Sequence, residues 1–192
     1  MNIVIFGPPG AGKGTQSDLI VKKFNLYQLS TGEILRKEIK NKTILGKKIA
    51  SIMNLGDLVS NEIVGNLIEK YITNKTYRNR IIFDGYPRNL SQALHLDNLL
   101  KKYDQKIDLV LKLSVNLEII KKRISERKYL EKRTDDTEKI AVKRFMTYEK
   151  NIEPVINFYK SSNLLTVIDG ERSIAEISDE ISGLIDSIRG WL

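Results

Sequence analysis

Short apolar runs alternate with stretches of helical periodicity along this chain. The runs are typical of strands buried on both faces of a sheet, which read as nearly continuous apolar sequence. They lie at Ile3–Phe6, Tyr27–Leu29, Ile81–Phe83, Leu109–Leu113 and Leu165–Ile168. Between them, apolar residues recur at helical spacing at Leu96, Leu99 and Leu100 and at Ile174, Ile177, Ile181 and Ile185. Strands that alternate with helices predict an α/β fold whose parallel sheet is covered on both faces.

Two stretches interrupt this alternation. Residues 30–72, between the second and third strands, contain helical segments that Gly46 and Gly56 are expected to break. Residues 123–136 begin with a run that is dense in charge and has no apolar face. Because 192 residues are typical of one domain with insertions, both stretches are predicted to be inserts in a single domain that spans residues 1–192.

Composition excludes several classes of protein. An apolar fraction of 41% is ample for a hydrophobic core, and the absence of cysteine excludes a disulfide framework and a thiolate zinc site. The N-terminus enters a core strand without the basic and apolar regions of a signal peptide. No apolar stretch approaches the roughly 18 residues of a membrane span. We therefore expect a cytoplasmic protein with no membrane partner.

The net charge of +8 is compatible with a nucleic-acid partner or with a small anionic ligand. The lysine pairs are scattered along the chain, and no zinc-finger, helix-turn-helix or aromatic RNA-binding motif accompanies them. The lysines are therefore interpreted as a solvated surface, and no nucleic-acid partner is expected.

The strongest candidate for chemistry directly follows the first strand. Residues 7–15 read Gly-Pro-Pro-Gly-Ala-Gly-Lys-Gly-Thr, a phosphate-binding loop of the G-x-x-x-x-G-K type. Its glycines let backbone N–H groups approach a phosphate, and the following helix directs the positive end of its dipole at the same anion. Lys13 adds a full charge. An ordinary glycine-rich turn rarely combines these residues with a strand before and a helix after.

A second motif follows the third strand. Residues 84–88 read Asp-Gly-Tyr-Pro-Arg, and Gln92 comes four residues later. Since parallel strands end at the same edge of a sheet, Asp84 is expected beside the phosphate loop, where it can accept hydrogen bonds from magnesium-bound water. Arg88 offers a planar fork that suits a phosphate. The alternative is a helix-capping turn with a solvated arginine.

Four arginines form a third candidate site. Arg123 and Arg127 share a helix face, where like charges repel unless an anion lies between them. Arg133 and Arg144 are eleven residues apart, about three helical turns, so they can point toward one place. The neighbouring pair Asp135 and Asp136 is explained equally well by helix capping with Glu138 and by a functional role.

Together these motifs resemble those of the adenylate kinases, within the nucleoside monophosphate kinase family. The resemblance rests on Gly-Lys-Gly-Thr at residues 12–15, on Asp-Gly-aromatic-Pro-Arg at 84–88, where Tyr86 replaces Phe, on Gly-x-Leu-Val at 56–59 and on the spaced arginines. It extends from Ile3 to Gly170. It implies a P-loop kinase core with sheet order 2-3-1-4-5, a helical nucleotide-monophosphate-binding insert at 30–72 and a short lid at 123–136 that lacks zinc.

The same resemblance implies reversible, Mg²⁺-dependent transfer of a phosphoryl group from ATP to AMP, which gives two ADP, by a monomer. It implies that the catalytic residues are Lys13, Asp84, Arg88, Arg123, Arg133 and Arg144. The implied ATP-binding residues are Gly10, Ala11, Gly12, Lys13, Gly14, Thr15, Arg123, Arg127 and Arg172. The implied AMP-binding residues are Thr31, Arg36, Asp57, Leu58, Val59, Gly85, Tyr86, Pro87, Arg88, Gln92, Arg133 and Arg144.

Two of these assignments have local alternatives. Ser30-Thr-Gly-Glu33 matches a capping box, so we expect Ser30 to cap a helix while Thr31 contacts the ligand. The single histidine, His95, is expected at the surface of a helix.

Two other functions stay open on the sequence. A UMP/CMP kinase has a similar loop and Asp-Gly-aromatic-Pro-Arg run, but Gln92 favours adenine because its amide can both donate to and accept from that base. A nucleotide-dependent switch without turnover would not need so many cations around one phosphate.

Overall fold

In the computed structural model, which describes residues 1–131 and 137–190, the strands form one parallel sheet. They are β1 (Ile3–Phe6), β2 (Tyr27–Ser30), β3 (Ile81–Asp84), β4 (Leu109–Ser114) and β5 (Leu165–Asp169). Within these residues the sheet has five strands in the order β2-β3-β1-β4-β5, with Ile3 opposite Ile82 and Leu109 in the central register. The predicted strands, their parallel arrangement and their order are confirmed.

Helices cover both faces of the sheet. They are α1 (Lys13–Phe24), α2 (Thr31–Lys40), α3 (Ile44–Asn54), α4 (Asn61–Ile72), α5 (Leu90–Lys102), α6 (Leu117–Glu131), α7 (Glu138–Ser161) and α8 (Ile174–Arg189). One apolar cluster lies between the sheet and α4, α5 and α7, and a second lies between the sheet and α1, α6 and α8. Strands buried on both faces explain why their sequences read as continuous apolar runs.

The insert between β2 and β3 contains three helices, but one predicted break is wrong. The chain turns at residues 41–43, with Lys42 at a positive φ, and Gly46 lies inside α3. A Cβ on Gly46 would stand 2.1 Å from the backbone oxygen of Glu38, so this glycine allows α2 and α3 to pack closely. The predicted break at Gly56 is confirmed by its φ of +75°.

The first part of the charged stretch belongs to a helix that is anchored in the core. Arg123 and Arg127 lie on α6, as their spacing predicted, but Ile124 between them is only 2% exposed and packs in the second apolar cluster. The expectation that residues 123–134 lack an apolar face is therefore wrong at Ile124.

No helix in the described part of the chain is both long and apolar enough to cross a membrane.

Candidate active site

The phosphate loop joins the end of β1 to the start of α1. Gly10 and Gly12 adopt φ values of +83° and +93°, which side chains with a Cβ rarely tolerate, so the loop can curl around the N-terminus of α1. The Lys13 ammonium donates to the carbonyls of Gly7 at 2.7 Å and Pro8 at 2.9 Å. These bonds hold Lys13 across the mouth of the loop, where a phosphate would lie.

The environment of Lys13 disfavours its positive charge. Burial is the main reason why the pKa of Lys13 falls to about 8, and the nearby guanidinium groups of Arg88, Arg144 and Arg127 lower it further, while Asp84 opposes the shift. Several cations packed around one lysine make a strongly positive site. Such a site is stabilised when an anion enters it.

A large, open cavity lies in front of the loop. It brings together most of the residues predicted to take part in catalysis or in ATP binding, together with two that are predicted to bind AMP only. They are Gly10, Ala11, Gly12, Lys13, Gly14, Thr15, Arg36, Asp84, Gly85, Arg88, Arg123, Arg127, Arg144 and Arg172. Cationic side chains from α1, α2, α6, α7 and the segments after β3 and β5 therefore surround a single space.

Arg123 and Arg172 are held by contacts with the segment after β5 and with α8. Arg123 donates to the carbonyl of Gly170 at 2.9 Å, which ties α6 to the end of β5. Arg172 pairs with Glu180 on α8 and lies 3.9 Å from Asp169. Arg123 is thus held in place beside the loop, whereas Arg172 is engaged at the cavity rim.

Asp84 ends β3 beside the phosphate loop, as predicted. Its carboxylate is 8% exposed and accepts a hydrogen bond from the Gln28 side chain at 3.1 Å. On the same side, the Thr31 hydroxyl is buried and donates to the Gly85 carbonyl at 3.0 Å. These bonds fix the ends of β2 and β3 against each other.

The predicted cap at the start of α2 is wrong. Ser30 occupies the N-cap position, but within the described residues no backbone N–H donates to its side chain. The Ser173 side chain accepts instead from the backbone of Glu176, and a capping box forms at the start of α8. Ser30 ends β2 at its pairing with Asp84, so the sheet rather than a capping box fixes this position.

Arg88 and Arg36 line the part of the cavity next to the insert. The Nε atom of Arg88 donates to the Gly85 carbonyl at 2.7 Å. Burial lowers the pKa of the Arg88 guanidinium, and Arg36 lowers it further. A Cβ on Gly85 would stand 3.1 Å from Arg88 Nη2, so the glycine leaves room for the guanidinium.

A smaller cavity lies on the side of the insert and shares Arg36, Gly85, Arg88 and Arg144 with the large one. It is lined by many of the residues predicted to bind AMP. These are Thr31, Arg36, Asp57, Leu58, Val59, Gly85, Arg88, Gln92 and Arg144. Apolar walls with few polar groups are typical of a pocket for a base.

Tyr86 and Pro87, in the Asp-Gly-Tyr-Pro-Arg run, do not line either of these two cavities. The Tyr86 side chain is 1% exposed, packs in the core and has its hydroxyl 3.1 Å from Nδ1 of His95. Pro87 lines an adjoining cavity with Leu58 and Arg144. The Tyr86 side chain therefore does not reach the cavities, whereas His95 is exposed on α5, as expected.

The loop of residues 56–59 is fixed by α7. Lys143 donates to the Leu55 carbonyl at 2.8 Å and pairs with the Asp57 carboxylate at 2.6 Å. A Cβ on Gly56 would stand 3.1 Å from Arg144 Cγ, so the loop packs directly on this arginine. The backbone of the predicted base-binding loop is thus positioned by the same helix that supplies Arg144.

Some polar residues of the site were not predicted. Gln16 is buried, lines the large cavity and donates to the Ile174 carbonyl at 3.0 Å. Gln28 and Asn61 also contact residues of the site. Gln16 directly follows the phosphate loop, Asn61 follows the 56–59 motif by two residues, and Gln28 lies within a predicted strand, but these positions alone indicate no partner.

Arg133 and the pair Asp135 and Asp136 lie outside the described residues. In the part of the chain that the structure describes, no group of three or more acidic, histidine or cysteine side chains could hold a metal ion on its own.

The fold and the site together define a P-loop protein that acts on phosphate groups. Its parallel sheet places a phosphate loop between β1 and α1, and arginines surround the cavity in front of that loop. The family model of the adenylate kinases matches residues 5–164. The chain is 42% identical to the adenylate kinase of Pelagibacter ubique, over 96% of this chain and 99% of that protein. It is also 42% identical to the adenylate kinase of Azobacteroides pseudotrichonymphae, over 98% of each chain, and 38% identical to that of Fusobacterium nucleatum, over 94% and 96%. The chain belongs to the adenylate kinase family.

The predicted family is therefore confirmed, and the pyrimidine-kinase and non-catalytic alternatives are not favoured.

Proposed function

We propose that this chain transfers a phosphoryl group reversibly from ATP to AMP and that the described cavity is the place of transfer. The observation that carries the proposal is that two adjoining cavities share lining residues. The larger contains the phosphate loop, and the smaller contains Gln92 and the loop of residues 57–59. Arg88 and Arg144 line both cavities and therefore lie between the two proposed nucleotides.

The reaction needs no general base, because its acceptor is already a phosphate anion. Catalysis then depends on alignment and on stabilisation of the charge on the transferring group. In the proposed mechanism, Lys13 and the loop amides hold the phosphates of ATP. Arg88, Arg123 and Arg144 neutralise the charge between donor and acceptor. Arg133 and the closure of the predicted lid at 123–136 stay predictions.

On the AMP side, we infer that Thr31, Arg36 and Arg88 bind the phosphate. The backbone of Asp57, Leu58 and Val59 and the side chain of Gln92 would hold adenine. The apolar lining, which includes Leu35 and Val64, suits the faces of a base. A pyrimidine would leave hydrogen-bonding groups of this pocket without partners, which disfavours it.

The donor groups fit a hydrated Mg²⁺ ion. In protein sites Mg²⁺ keeps several waters and is held by one or two carboxylates together with substrate phosphates. The Asp84 carboxylate and the Thr15 hydroxyl line the same cavity as Lys13, and we infer that Asp84 would hold the ion through its bound waters while Thr15 lies beside the phosphates of ATP. When bound, Mg²⁺ neutralises charge on the phosphate oxygens.

The cytoplasmic location and the monomeric state also stay predictions.

The function can be tested with a coupled assay for ADP. With Mg²⁺ and ATP, we expect kcat/KM for AMP to exceed that for CMP and UMP by about 100-fold, because mismatched bases leave buried polar groups unpaired. A reaction without any acceptor measures ATP hydrolysis as the control. Equal rates with CMP or UMP would reassign the chain to pyrimidine nucleotides. A folded protein that forms no ADP would identify a nucleotide-binding module.

The lowered pKa of Lys13 predicts how ATP binding depends on pH. In the free protein this pKa is about 8, and a bound phosphate raises it by stabilising the ammonium. At and above that pH, the binding of ATP is therefore accompanied by protonation of the Lys13 amine. The affinity for ATP falls as the pH rises. Linkage gives a loss of about 10-fold in affinity between about pH 7 and pH 9. Calorimetry in two buffers of different ionisation enthalpy measures this proton uptake.

The Lys13→Arg variant is the control for this measurement, because its guanidinium stays protonated across the whole range. A smaller pH slope in Lys13→Arg is expected. The same slope in both proteins would mean that the proton is taken up elsewhere.

The same shift affects the stability of the free protein, because folding lowers the Lys13 pKa from 10.5 to about 8. Below about pH 8 the charge on Lys13 lowers the free energy of unfolding, and this loss of stability disappears as the pH rises toward 10.5.

A further inference from the structure

Three side-chain amides form a small network where the insert meets the core. Asn61 is the first residue of α4, Asn89 is the N-cap of α5, and Gln92 lies in the first turn of α5. The Oδ1 atom of Asn61 accepts from Nε2 of Gln92 at 2.8 Å and from Nδ2 of Asn89 at 3.1 Å. Gln92 is 3% exposed and lines the smaller cavity, whereas Asn61 is exposed behind it. Asn61 thus contacts Gln92 from outside the proposed base pocket.

Two backbone donors determine which way each amide in this network is turned. The N–H of Arg88 can only donate, and it donates to Oε1 of Gln92 at 2.8 Å. The N–H of Gln92 donates to Oδ1 of Asn89 at 2.9 Å, so the NH₂ group of Asn89 must face Asn61. Asn61 must then present its oxygen to both neighbours. Any reversed amide would place two donors or two acceptors against each other.

The network leaves Gln92 with a defined pair of free hydrogen-bonding positions. Its oxygen has a second lone pair, and its nitrogen has a second N–H. Adenine presents a donor at its amino group beside an acceptor at N1, which matches this pair. Hypoxanthine presents the opposite pattern, a carbonyl beside an N1–H, and would need the Gln92 amide to turn over. Turning it over would direct its oxygen at Oδ1 of Asn61.

We propose that Asn61 is a positioning residue that holds the Gln92 amide in the orientation that selects adenine over hypoxanthine. The inference rests on the proposed function, in which Gln92 contacts the base of AMP. Asn61 itself touches no substrate in this arrangement. Its effect is therefore on the recognition of the acceptor base and not on phosphoryl transfer.

The test compares AMP with inosine monophosphate as acceptor in the ADP assay. In Asn61→Ala, we expect KM for AMP to rise about fivefold and the ratio of kcat/KM for AMP over IMP to fall about fivefold, the effect of one hydrogen bond. We expect kcat with AMP and KM for ATP to stay within about twofold of wild type, because the phosphate site is untouched. Asn61→Asp keeps an acceptor oxygen and should restore wild-type values.

Two further variants control for structure. Asn66→Ala removes the same group from an exposed position on the same helix and should leave both constants unchanged. Because Asn61 is exposed, its truncation opens no cavity, and Asn61→Leu repeats the test with a side chain of similar volume that lacks an acceptor. Thermal unfolding of each variant shows that the comparison is made between folded proteins.

Gln92→Ala separates failure of this proposal from failure of the proposed function. If Gln92→Ala lowers the preference for AMP over IMP while Asn61→Ala does not, the role of Asn61 is overturned and the base-binding role of Gln92 stands. A failure of Asn61→Asp to restore selectivity would also overturn the role of Asn61. If Gln92→Ala leaves the preference unchanged, the assignment of the base pocket is overturned and the role of Asn61 with it.

Discussion

Replacement of Lys13 by alanine is expected to lower kcat by at least about 1000-fold. The ammonium is held over the phosphate loop by the carbonyls of Gly7 and Pro8 and can turn to the transferring phosphate without a large movement. A preorganised charge aimed at a reacting group is worth about 10²- to 10³-fold in rate for a single donor, and a full charge is worth more. Single-turnover and steady-state ADP formation, compared with wild type, measures the loss.

The fold should survive this substitution. Burial disfavours the charged form of Lys13, so its removal relieves a cost in the free protein, and we expect thermal unfolding close to that of wild type. Lys22→Ala removes an exposed lysine from the same helix and should keep full activity. A folded Lys13→Ala protein with wild-type kcat would refute the role of the loop in catalysis.

The sheet could be predicted from sequence because its signal is local. Each strand is buried on both faces, so residues such as Ile3, Val4 and Ile5 read as a continuous apolar run whatever covers them. The phosphate loop is equally local, since its glycines, its lysine and the start of the following helix lie within nine residues. Strand order, in contrast, came from the family resemblance, because pairing is a long-range property that periodicity does not encode.

The features that the sequence does not predict depend on partners from other elements of the fold. A glycine weakens an isolated helix, so the sequence predicts a break at Gly46, but in the fold this glycine allows the backbone of Glu38 to approach. Ile124 stands in a charged stretch, yet one apolar side chain is enough to anchor that turn of α6 to the core. The role of Asn61 depends on Gln92 and Asn89, about thirty residues away, and no pattern within either segment predicts the pairing.

Arg88 provides the second large expected effect, because it lies between the two proposed nucleotides. We expect Arg88→Lys to lower kcat about 100-fold. Arg88 presents a planar fork that can bind two phosphate oxygens, and its Nε bond to the Gly85 carbonyl fixes the plane of that fork. Lysine keeps the charge but cannot reproduce either feature. The loss should appear mainly in kcat, since the proposed partner is the group in transfer and charge there develops in the transition state.

The measurement is kcat and KM for ATP and AMP in parallel, with thermal unfolding as the check on structure. Arg80→Lys is a matched control at the opposite end of β3, where the guanidinium contacts only Asn25 among its described hydrogen bonds. That control should retain wild-type constants. If Arg88→Lys raises KM for AMP and leaves kcat unchanged, Arg88 binds AMP equally well before and during transfer. Uniform binding of that kind lowers KM without accelerating the chemical step. Stabilisation of the transition state would then have to come from Arg123, Arg144 and Lys13.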